Sequence, residues 1–323
     1  MSTKKKTAAP KSAKSPRPRK SPAPAAFKQP TIAERMEWAK WEVTRLVAPQ
    51  KALPAMKAAF FGKKKKGAKL VGEGDSWFDY PPGFDVLDQL GDFGYRVESV
   101  ASAGATVEQM VFGPDNDQKF ADMFKRDPSQ LAETLRYIRD ERPAAVLFSG
   151  GGNDIAGNEL LPLLNHKNAG GDPLRMEMVN GLFNTTLKHG YRTFLGMVDA
   201  EAKSQKRTIP VIGHGYDYAI PDGRGVINLL GFHFLGPWLA PSLNQKGYNE
   251  AEGRPIIRRL IDAHNDMIQS LPAEFPFYHP VDLRGTLTKK SDWANELHPT
   301  NDGFKKVSLK IRDRLKTLGV HPQ

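Results

Sequence analysis

The amino-acid sequence contains no cysteine among its 323 residues. The chain can therefore form no disulfide, no thiolate metal site and no cysteine nucleophile. Because the absence of cysteine fits a reducing compartment, we predict a cytoplasmic protein. Any covalent catalysis in this chain has to come from serine, histidine or carboxylate side chains.

Acidic residues are absent from residues 1–30, which contain nine Lys or Arg residues and six Pro residues. Such a segment buries too little apolar surface to offset the entropy lost on ordering, so we predict a disordered basic tail over 1–30. The tail has no apolar run of the kind found in secretory signal peptides, and we expect none. Two interpretations stay open: an arm that binds nucleic acid or an anionic surface, or a solvated tail that aids solubility.

Positive charge is concentrated in the first part of the chain. Residues 1–68 carry a formal charge of +15, whereas residues 69–323 carry −4. Thr31 to Glu34 has the pattern of a capping box that opens a helix, and the lysines from 63 to 66 mark a linker. We therefore predict a helical extension and basic linker over 31–68 and a main domain over 69–323. The mildly acidic main domain gives no electrostatic reason to expect a nucleic acid substrate.

Long hydrophobic runs are also scarce. The longest uncharged stretch, residues 225–245, has the length of a membrane span, but Gly, Pro, Asn and His interrupt it repeatedly. A lipid-exposed helix does not tolerate such a composition, so we predict no transmembrane segment. We interpret the stretch as an inserted loop. Its aromatic residues either form a lid or acyl pocket over a site or complete the core.

Beyond residue 69, strand-like and helix-like segments alternate, which predicts an α/β domain with a mostly parallel sheet. The predicted strands are Leu70–Glu73, Tyr95–Ala101, Ala144–Ser149, Thr208–Gly213 and Phe277–Leu283. The helices between them are predicted near 85–91, 106–112, 129–142, 174–205 and 252–271, with a final helix over Phe304–Leu318. The uninterrupted apolar run at 144–148 is typical of a central strand that is covered on both faces.

Four short motifs occur in one order along the chain. They are GDS at Ser76, AGAT around Gly104, GGND at Asn153 and ELHP at His298. Together they resemble the motifs of the SGNH (GDSL-like) hydrolase family, whose name lists its Ser, Gly, Asn and His. The resemblance spans roughly residues 69–319. It implies a three-layer α/β/α sandwich with a five-stranded, flavodoxin-like sheet of order 2-1-3-4-5, in which ligands bind beyond the carboxyl ends of the strands.

The resemblance also implies a role for each motif residue. Ser76 is expected to be the nucleophile, and His298 the general base that removes its proton. The oxyanion is expected to accept hydrogen bonds from the backbone N–H groups of Ser76 and Gly104 and from the Asn153 side chain. The family chemistry requires no metal and no cofactor. Asp75 is expected to brace its turn through bonds to the backbone.

The sequence departs from the family pattern at two positions. The family has an aspartate three residues before its histidine, but residue 295 is Asn. The nearby carboxylates are Asp292 and Glu296, and we predict Asp292 as the acid partner of His298. Three alternatives stay open, namely Glu296, Asn295 or a backbone carbonyl. The last two would leave a Ser76–His298 dyad without a carboxylate partner. The second departure follows Ser76, where a proline-rich segment delays the helix that the family usually starts directly after its serine.

We therefore predict a serine hydrolase that cleaves carboxylic esters, with an acyl lipid or an acetylated small molecule or carbohydrate as substrate. A first alternative is a degenerate hydrolase domain that acts as a binding protein, tethered by the basic tail to nucleic acid or an anionic surface. A second alternative is a two-metal phosphoesterase, because several residues are ligand types used in such sites. They are Asp75, Asn153, Asp154, His214 and His298.

Overall fold

The computed structural model of the protein describes residues 31–37, 67–80, 84–113, 129–226 and 236–323. The predictions for the basic tail, for the linker from residue 38 onward and for residues 227–235 of the uncharged stretch lie outside these described residues. The residues from Ile32 onward belong to one compact unit that ends at Gln323.

Within the described residues, the sheet consists of four parallel strands: β1 (Lys69–Gly74), β2 (Arg96–Ser99), β3 (Ala145–Ser149) and β4 (Val211–Gly213). They lie in the order β2-β1-β3-β4, with Leu70 of β1 in register with Val97 on one side and Ala145 on the other. Every residue of β3 is buried, as its apolar composition predicts. The predicted parallel sheet and its flavodoxin-like order are confirmed for these four strands.

The prediction of a fifth strand over Phe277–Leu283 is wrong in extent. This segment meets β4 only through two isolated parallel bridges, between Val211 and Tyr278 and between His214 and Val281. The physical reason is the shortness of β4, which offers only three strand residues as partners. The fifth segment still lies beside β4, so the layout of the predicted sheet is retained without a full fifth strand.

Helices connect the strands. A first helix, α1, covers residues 32–37, and the others are α2 (Val86–Asp92), α3 (Val107–Phe112), α4 (Gln130–Glu141), α5 (Met176–Gly181), α6 (Lys188–Ser204), α7 (Ala240–Gln245), α8 (Glu250–Ser270) and α9 (Asn301–Thr317). The predicted helix over 174–205 is divided, because a π-helical turn at Leu182–Leu187 separates α5 from α6.

Helices cover both faces of the sheet. Gly72 of β1 faces Leu87 of α2, whereas the next residue, Glu73, lies against Thr134 of α4. Because successive residues of a strand point to opposite faces, α2 and α4 lie on opposite sides. The last helix, α9, packs with α2, and α3 and α6 pack with α4. The resulting three layers are those of the predicted sandwich.

The short helix α1 packs onto the main body of the chain. Arg35 lies 5.0 Å from the centre of the Phe112 ring and 3.4 Å from the Nε2 atom of His189. The Ile32 side chain packs into the space that a Cβ atom on Gly196 of α6 would occupy. The amphipathic pattern at the start of the extension is therefore used for packing on the α6 side of the sandwich.

Candidate active site

The Ser76 turn begins where β1 ends, and a buried carboxylate braces it. Asp75 accepts hydrogen bonds from the backbone N–H of Trp77 at 3.0 Å, from the Ser149 hydroxyl at 2.8 Å and from the Tyr216 hydroxyl. Burial raises the pKa of Asp75 above its ordinary value, and these donors act in the opposite direction. The turn is thus tied to β3 and to the residues after β4, while Ser76 itself stays half-buried.

The first helix after Ser76 does not start at the serine. Helix α2 begins only at Val86, where Asp85 accepts from the backbone N–H groups of Leu87 and Asp88 as N-cap. The second departure noted in the sequence therefore has a structural counterpart. Because a helix-end field falls off within the first turn, Ser76 gains no such field from α2.

The side chains of Ser76 and His298 meet although 222 positions separate them. The distance from Ser76 Oγ to His298 Nε2 is 2.7 Å, which is hydrogen-bonding distance. A second bond joins the same two loops, because the indole N–H of Trp77 donates to the Leu297 carbonyl at 3.1 Å. His298 precedes α9, whose N-cap is Thr300. The motif residues predicted as nucleophile and base thus share one hydrogen bond.

Asn295 is the side chain that contacts the other nitrogen of the His298 ring. Its Oδ1 atom lies 3.0 Å from His298 Nδ1 and also accepts from the backbone N–H groups of Leu297 and His298. Its amide nitrogen donates to the Tyr80 hydroxyl at 3.1 Å. Because two backbone N–H groups donate to the Asn295 atom beside the ring, that atom has to be the amide oxygen and not the nitrogen. An oxygen can only accept from the ring, so His298 Nδ1 carries the proton and Nε2 is free to accept one.

Asp292, the predicted acid partner of His298, binds other groups and makes no hydrogen bond to the imidazole, so that prediction is wrong. Its carboxylate accepts from the Lys306 ammonium at 2.7 Å and from the Lys289 backbone N–H at 3.2 Å. The hydrogen bond from Lys306 lowers the pKa of Asp292. The loop from 292 to 298 folds back so that Asn295 faces the ring, while Asp292 faces the first turns of α9.

Glu296 does not contact His298 either, although it is fully buried. Its two oxygens accept from four backbone N–H groups, those of Gly223, Trp238, Leu239 and Ala240, at 2.6 to 3.0 Å. These donors lie on both sides of residues 227–235. Glu296 therefore joins the segments on either side of residues 227–235 to the His298 loop.

The His298 ring is enclosed by aromatic side chains. The Tyr80 ring stacks on it with centroids 4.5 Å apart, and the Trp238 ring meets it edge-on at 5.5 Å. Burial lowers the pKa of His298 to about 3. The imidazole is therefore neutral at physiological pH, which is the form that accepts a proton.

The two predicted oxyanion blocks lie beside each other. The Asn153 side-chain amide donates to the Ala105 carbonyl at 3.0 Å, one residue beyond Gly104. Gly104 has a φ of +85°, a left-handed conformation that favours glycine in this turn. Behind the turn, Thr106 and Gln109 form the capping box of α3. Asn153 lines the same cavity as Ser76, whereas Gly104 is not among the residues that line it.

The remaining residues of the predicted two-metal alternative, Asp154 and His214, lie in separate surroundings. Asp154 is buried and accepts from the backbone N–H of Val107 at 3.1 Å. His214 is buried beside the Trp77 ring, and burial lowers its pKa to about 4. Within the described part of the chain, no three His, Asp or Glu side chains are grouped to hold a metal ion.

The described helices include none that is both long and apolar enough to cross a membrane.

Two tyrosines in the site were not predicted from the sequence. Tyr80 orients Asn295 and stacks on His298, and Tyr216 donates to Asp75 while its ring packs against Gly152. Tyr216 therefore links the Ser76 turn to the GGND turn. The sequence signal was their position just after β1 and β4, since side chains beyond the carboxyl ends of parallel strands converge.

The cavity beside Ser76 is lined mostly by buried apolar side chains. They come from the Ser76 turn, the GGND turn, the N-cap of α7, α8 and the His298 loop, and include Trp77, Ile155, Leu239, Ile257, Ile261 and the partly buried Leu297. Ser76 and Asn153 place polar atoms at this cavity. The arrangement can therefore hold an apolar group next to a hydroxyl and an amide.

No family model and no curated protein matches this chain. Among solved structures, the chain is similar to phospholipase A1 from Streptomyces albidoflavus NA297, with 17% identity over 76% of this chain and 99% of that one, at a TM-score of 0.41. It is also similar to a carbohydrate esterase family 3 protein from Talaromyces cellulolyticus, with 12% identity, coverage of 78% and 97%, and a TM-score of 0.40. A third similar structure is the periplasmic domain of a lipopolysaccharide acetyltransferase from Salmonella ser. Paratyphi A, with 11% identity, coverage of 88% and 97%, and a TM-score of 0.41. The function proposed below is based on the geometry around Ser76 and His298.

Proposed function

We propose that the protein is a serine hydrolase that cleaves carboxylic esters through an acyl-enzyme on Ser76. The observation that carries the proposal is the chain of contacts from Ser76 Oγ to His298 Nε2 and from His298 Nδ1 to Asn295 Oδ1. A nucleophile, a base and a group that orients the base are the three parts that acyl transfer requires of a serine enzyme.

In the first step, Ser76 Oγ attacks the ester carbonyl carbon while its proton passes to His298 Nε2. The Asn295 oxygen accepts from Nδ1–H, so it holds the ring in the tautomer that has a free Nε2. His298 then returns the proton to the departing alcohol oxygen. A water molecule, activated by the same Nε2, adds to the acyl-enzyme and releases the acid.

The oxyanion of each tetrahedral intermediate accepts hydrogen bonds from the Ser76 and Gly104 backbone N–H groups and from Asn153. The Asn153 amide nitrogen carries two hydrogens, and one of them donates to the Ala105 carbonyl. That bond fixes the plane of the amide and leaves the second hydrogen for the substrate. Losing one such donor costs about 3 to 4 kcal/mol of transition-state stabilisation.

The test is hydrolysis of p-nitrophenyl esters by the wild type and by Ser76→Ala, both in EDTA, together with labelling by a fluorophosphonate. The matched control is Ser102→Ala, which alters an exposed serine in the turn after β2. We expect esterase activity and covalent labelling at Ser76 in the wild type and in Ser102→Ala, and neither in Ser76→Ala. Activity that persists in Ser76→Ala, or that requires Mn²⁺, would refute the proposal.

A second candidate function keeps the domain as a binding protein tethered by the basic tail. It is favoured by Asn295, since a neutral orienting group stabilises imidazolium less than an aspartate does. Binding to nucleic acid or to an anionic surface through residues 1–30 would be independent of sequence and weaken steeply with salt. An esterase-inactive wild type that binds DNA with such a salt dependence would favour this function. Within either proposal, the absence of cysteine supports a cytoplasmic location.

A further inference from the structure

We propose that the cavity beside Ser76 binds the acyl chain of the substrate and that the preferred acids carry an unbranched aliphatic chain longer than acetyl. The inference rests on the proposed function, because it places the ester carbon at Ser76. The walls of the cavity include buried aliphatic and indole side chains from several separate parts of the chain, among them Trp77, Leu239 and Ile257. An apolar chain gains the most from such a surface.

The polar side chains in the cavity wall already have partners within the protein. Asp217 accepts from the backbone N–H groups of Gly285 and Leu287, at 2.8 and 2.5 Å. Asp75 accepts from three donors, one of which is the hydroxyl of Tyr216. A sugar or another polyol placed here would lose its hydrogen bonds to water and find these groups occupied, which is costly for a buried polar ligand.

The position of the cavity identifies the acyl part of the ester and not the alcohol part. The residues that line the cavity include Ser76, Gly152 and Asn153 together with Trp293 and Leu297 of the His298 loop, whereas the His298 imidazole is not among them. Because His298 returns its proton to the leaving oxygen, the alcohol has to depart on the side of the imidazole. The chain that stays attached to the carbonyl carbon extends away from the imidazole, into the cavity.

Helix α8 forms one wall of the cavity through residues one turn apart. Ile257 and Ile261 line the cavity, as expected for positions i and i+4 on one helix face. Ile256 is equally buried on the same helix, and it is not among the described lining residues. The adjacent pair Ile256 and Ile257 therefore offers a matched comparison between a core position and a cavity position.

The first experiment measures binding to Ser76→Ala by calorimetry, which separates this inference from the proposed hydrolysis. One ligand series is methyl esters from acetate to octanoate, and the other is alkyl acetates with the same numbers of carbon atoms. We expect affinity to rise about fourfold per methylene in the first series until the cavity is filled. Flat affinity in the acyl series, or a rise in the alkyl acetate series alone, would overturn the inference.

The second experiment compares Ile257→Ala with Ile256→Ala on p-nitrophenyl esters of increasing acyl length, after circular dichroism has verified that both fold. We expect Ile257→Ala to change the ratio of kcat/KM for octanoate over acetate at least fivefold, and Ile256→Ala to leave it within twofold. Equal ratios in both variants would contradict the assignment of α8 as the cavity wall. If either variant fails to fold, the Ser76→Ala binding series decides the question.

Discussion

The two sides of the candidate site are held in opposite ways. On the Ser76 side, the Asp75 carboxyl group braces the turn by accepting three hydrogen bonds, and it does not contact the reacting atoms. On the His298 side, a neutral amide, Asn295, contacts the imidazole directly. In this site, carboxylates therefore accept hydrogen bonds from the surrounding scaffold, whereas a neutral amide contacts the imidazole that is proposed to act as the base.

The carboxylates near His298 follow the same division. Asp292 pairs with Lys306, and Glu296 accepts from four backbone N–H groups that lie on either side of residues 227–235. A carboxylate that accepts several backbone N–H groups is stabilised in its charged form and fixes the backbone around it. Each of these carboxylates is already engaged with its own partners, and the imidazole is left with an uncharged partner.

The largest effect is expected from Asn295→Ala. Without the Oδ1 acceptor, the His298 ring loses its orientation and its tautomer, so we expect kcat/KM to fall about 1,000-fold. The control is Asp292→Asn, which removes the pair with Lys306 on the far side of the loop and is expected to change kcat/KM less than about threefold. Steady-state kinetics with a p-nitrophenyl ester measures both. Similar losses in the two variants would show that Asp292 takes part in orienting the base.

The next effect concerns the Ser76 side. Asp75→Ala leaves three buried donors without their acceptor, and we expect the free energy of unfolding to fall by about 3 kcal/mol. Urea unfolding monitored by circular dichroism measures this change. Because the turn that carries Ser76 loosens as well, kcat should fall more than KM rises. An Asp75→Ala protein with wild-type stability would contradict the bracing role of this carboxylate.

Glu296→Gln tests the anchoring of the uncharged stretch. A glutamine amide nitrogen would face backbone donors in place of an acceptor oxygen, and we expect a loss of about 2 kcal/mol in the free energy of unfolding. Since Leu239 lines the cavity and is held by Glu296, KM for long-chain esters should rise while kcat changes little. Glu250→Gln, which alters an exposed glutamate in the first turn of α8, is the control. A fall in kcat at constant KM would point to a direct effect on His298.

Asn295→Asp gives the smallest expected effect and the sharpest test of the comparison. Burial lowers the pKa of His298 to about 3 in the wild type, so the neutral base is retained and kcat/KM should stay level from pH 8 down to about pH 5. A carboxylate beside the ring favours imidazolium, so it raises the pKa by about 1 to 3 units. The pH below which kcat/KM declines, which is the acid limb of the profile, should therefore be higher in Asn295→Asp than in the wild type.

At pH 8, the same charge should raise kcat/KM about tenfold, because the transition state carries an imidazolium. The backbone donors of Leu297 and His298 and the Tyr80 hydroxyl can all donate to an aspartate, so the loop should keep its fold. A pH profile from 4.5 to 8.5 measures both changes. An unchanged acid limb would mean that residue 295 does not set the charge state of His298.

Much of this site could be predicted from short motifs. GDS, GGND and the histidine before the last helix mark positions directly after strands or before a helix, where local sequence largely determines the backbone. The buried strand β3 was predicted for the same reason. The fifth strand was overestimated, because the length of a ladder depends on its partner strand and β4 has only three residues.

The group that orients His298 could not be chosen from the sequence. Asp292, Asn295 and Glu296 lie within six residues of the histidine in an irregular loop, where periodicity says nothing about which side chain faces the ring. The choice depends on partners remote in sequence: Lys306 for Asp292, Tyr80 for Asn295, and Gly223 with Leu239 for Glu296.

The α/β class of this protein and the order of its elements could be read from local patterns, namely apolar periodicity, caps and turn glycines. The choice of Ser76, Asn153 and His298 as residues to examine came from the resemblance of four short motifs to those of a known family. That an amide faces the imidazole and that α8 lines the cavity beside Ser76 became apparent only in the folded chain. Those features are contacts between distant segments, and their energies arise only when the chain is packed.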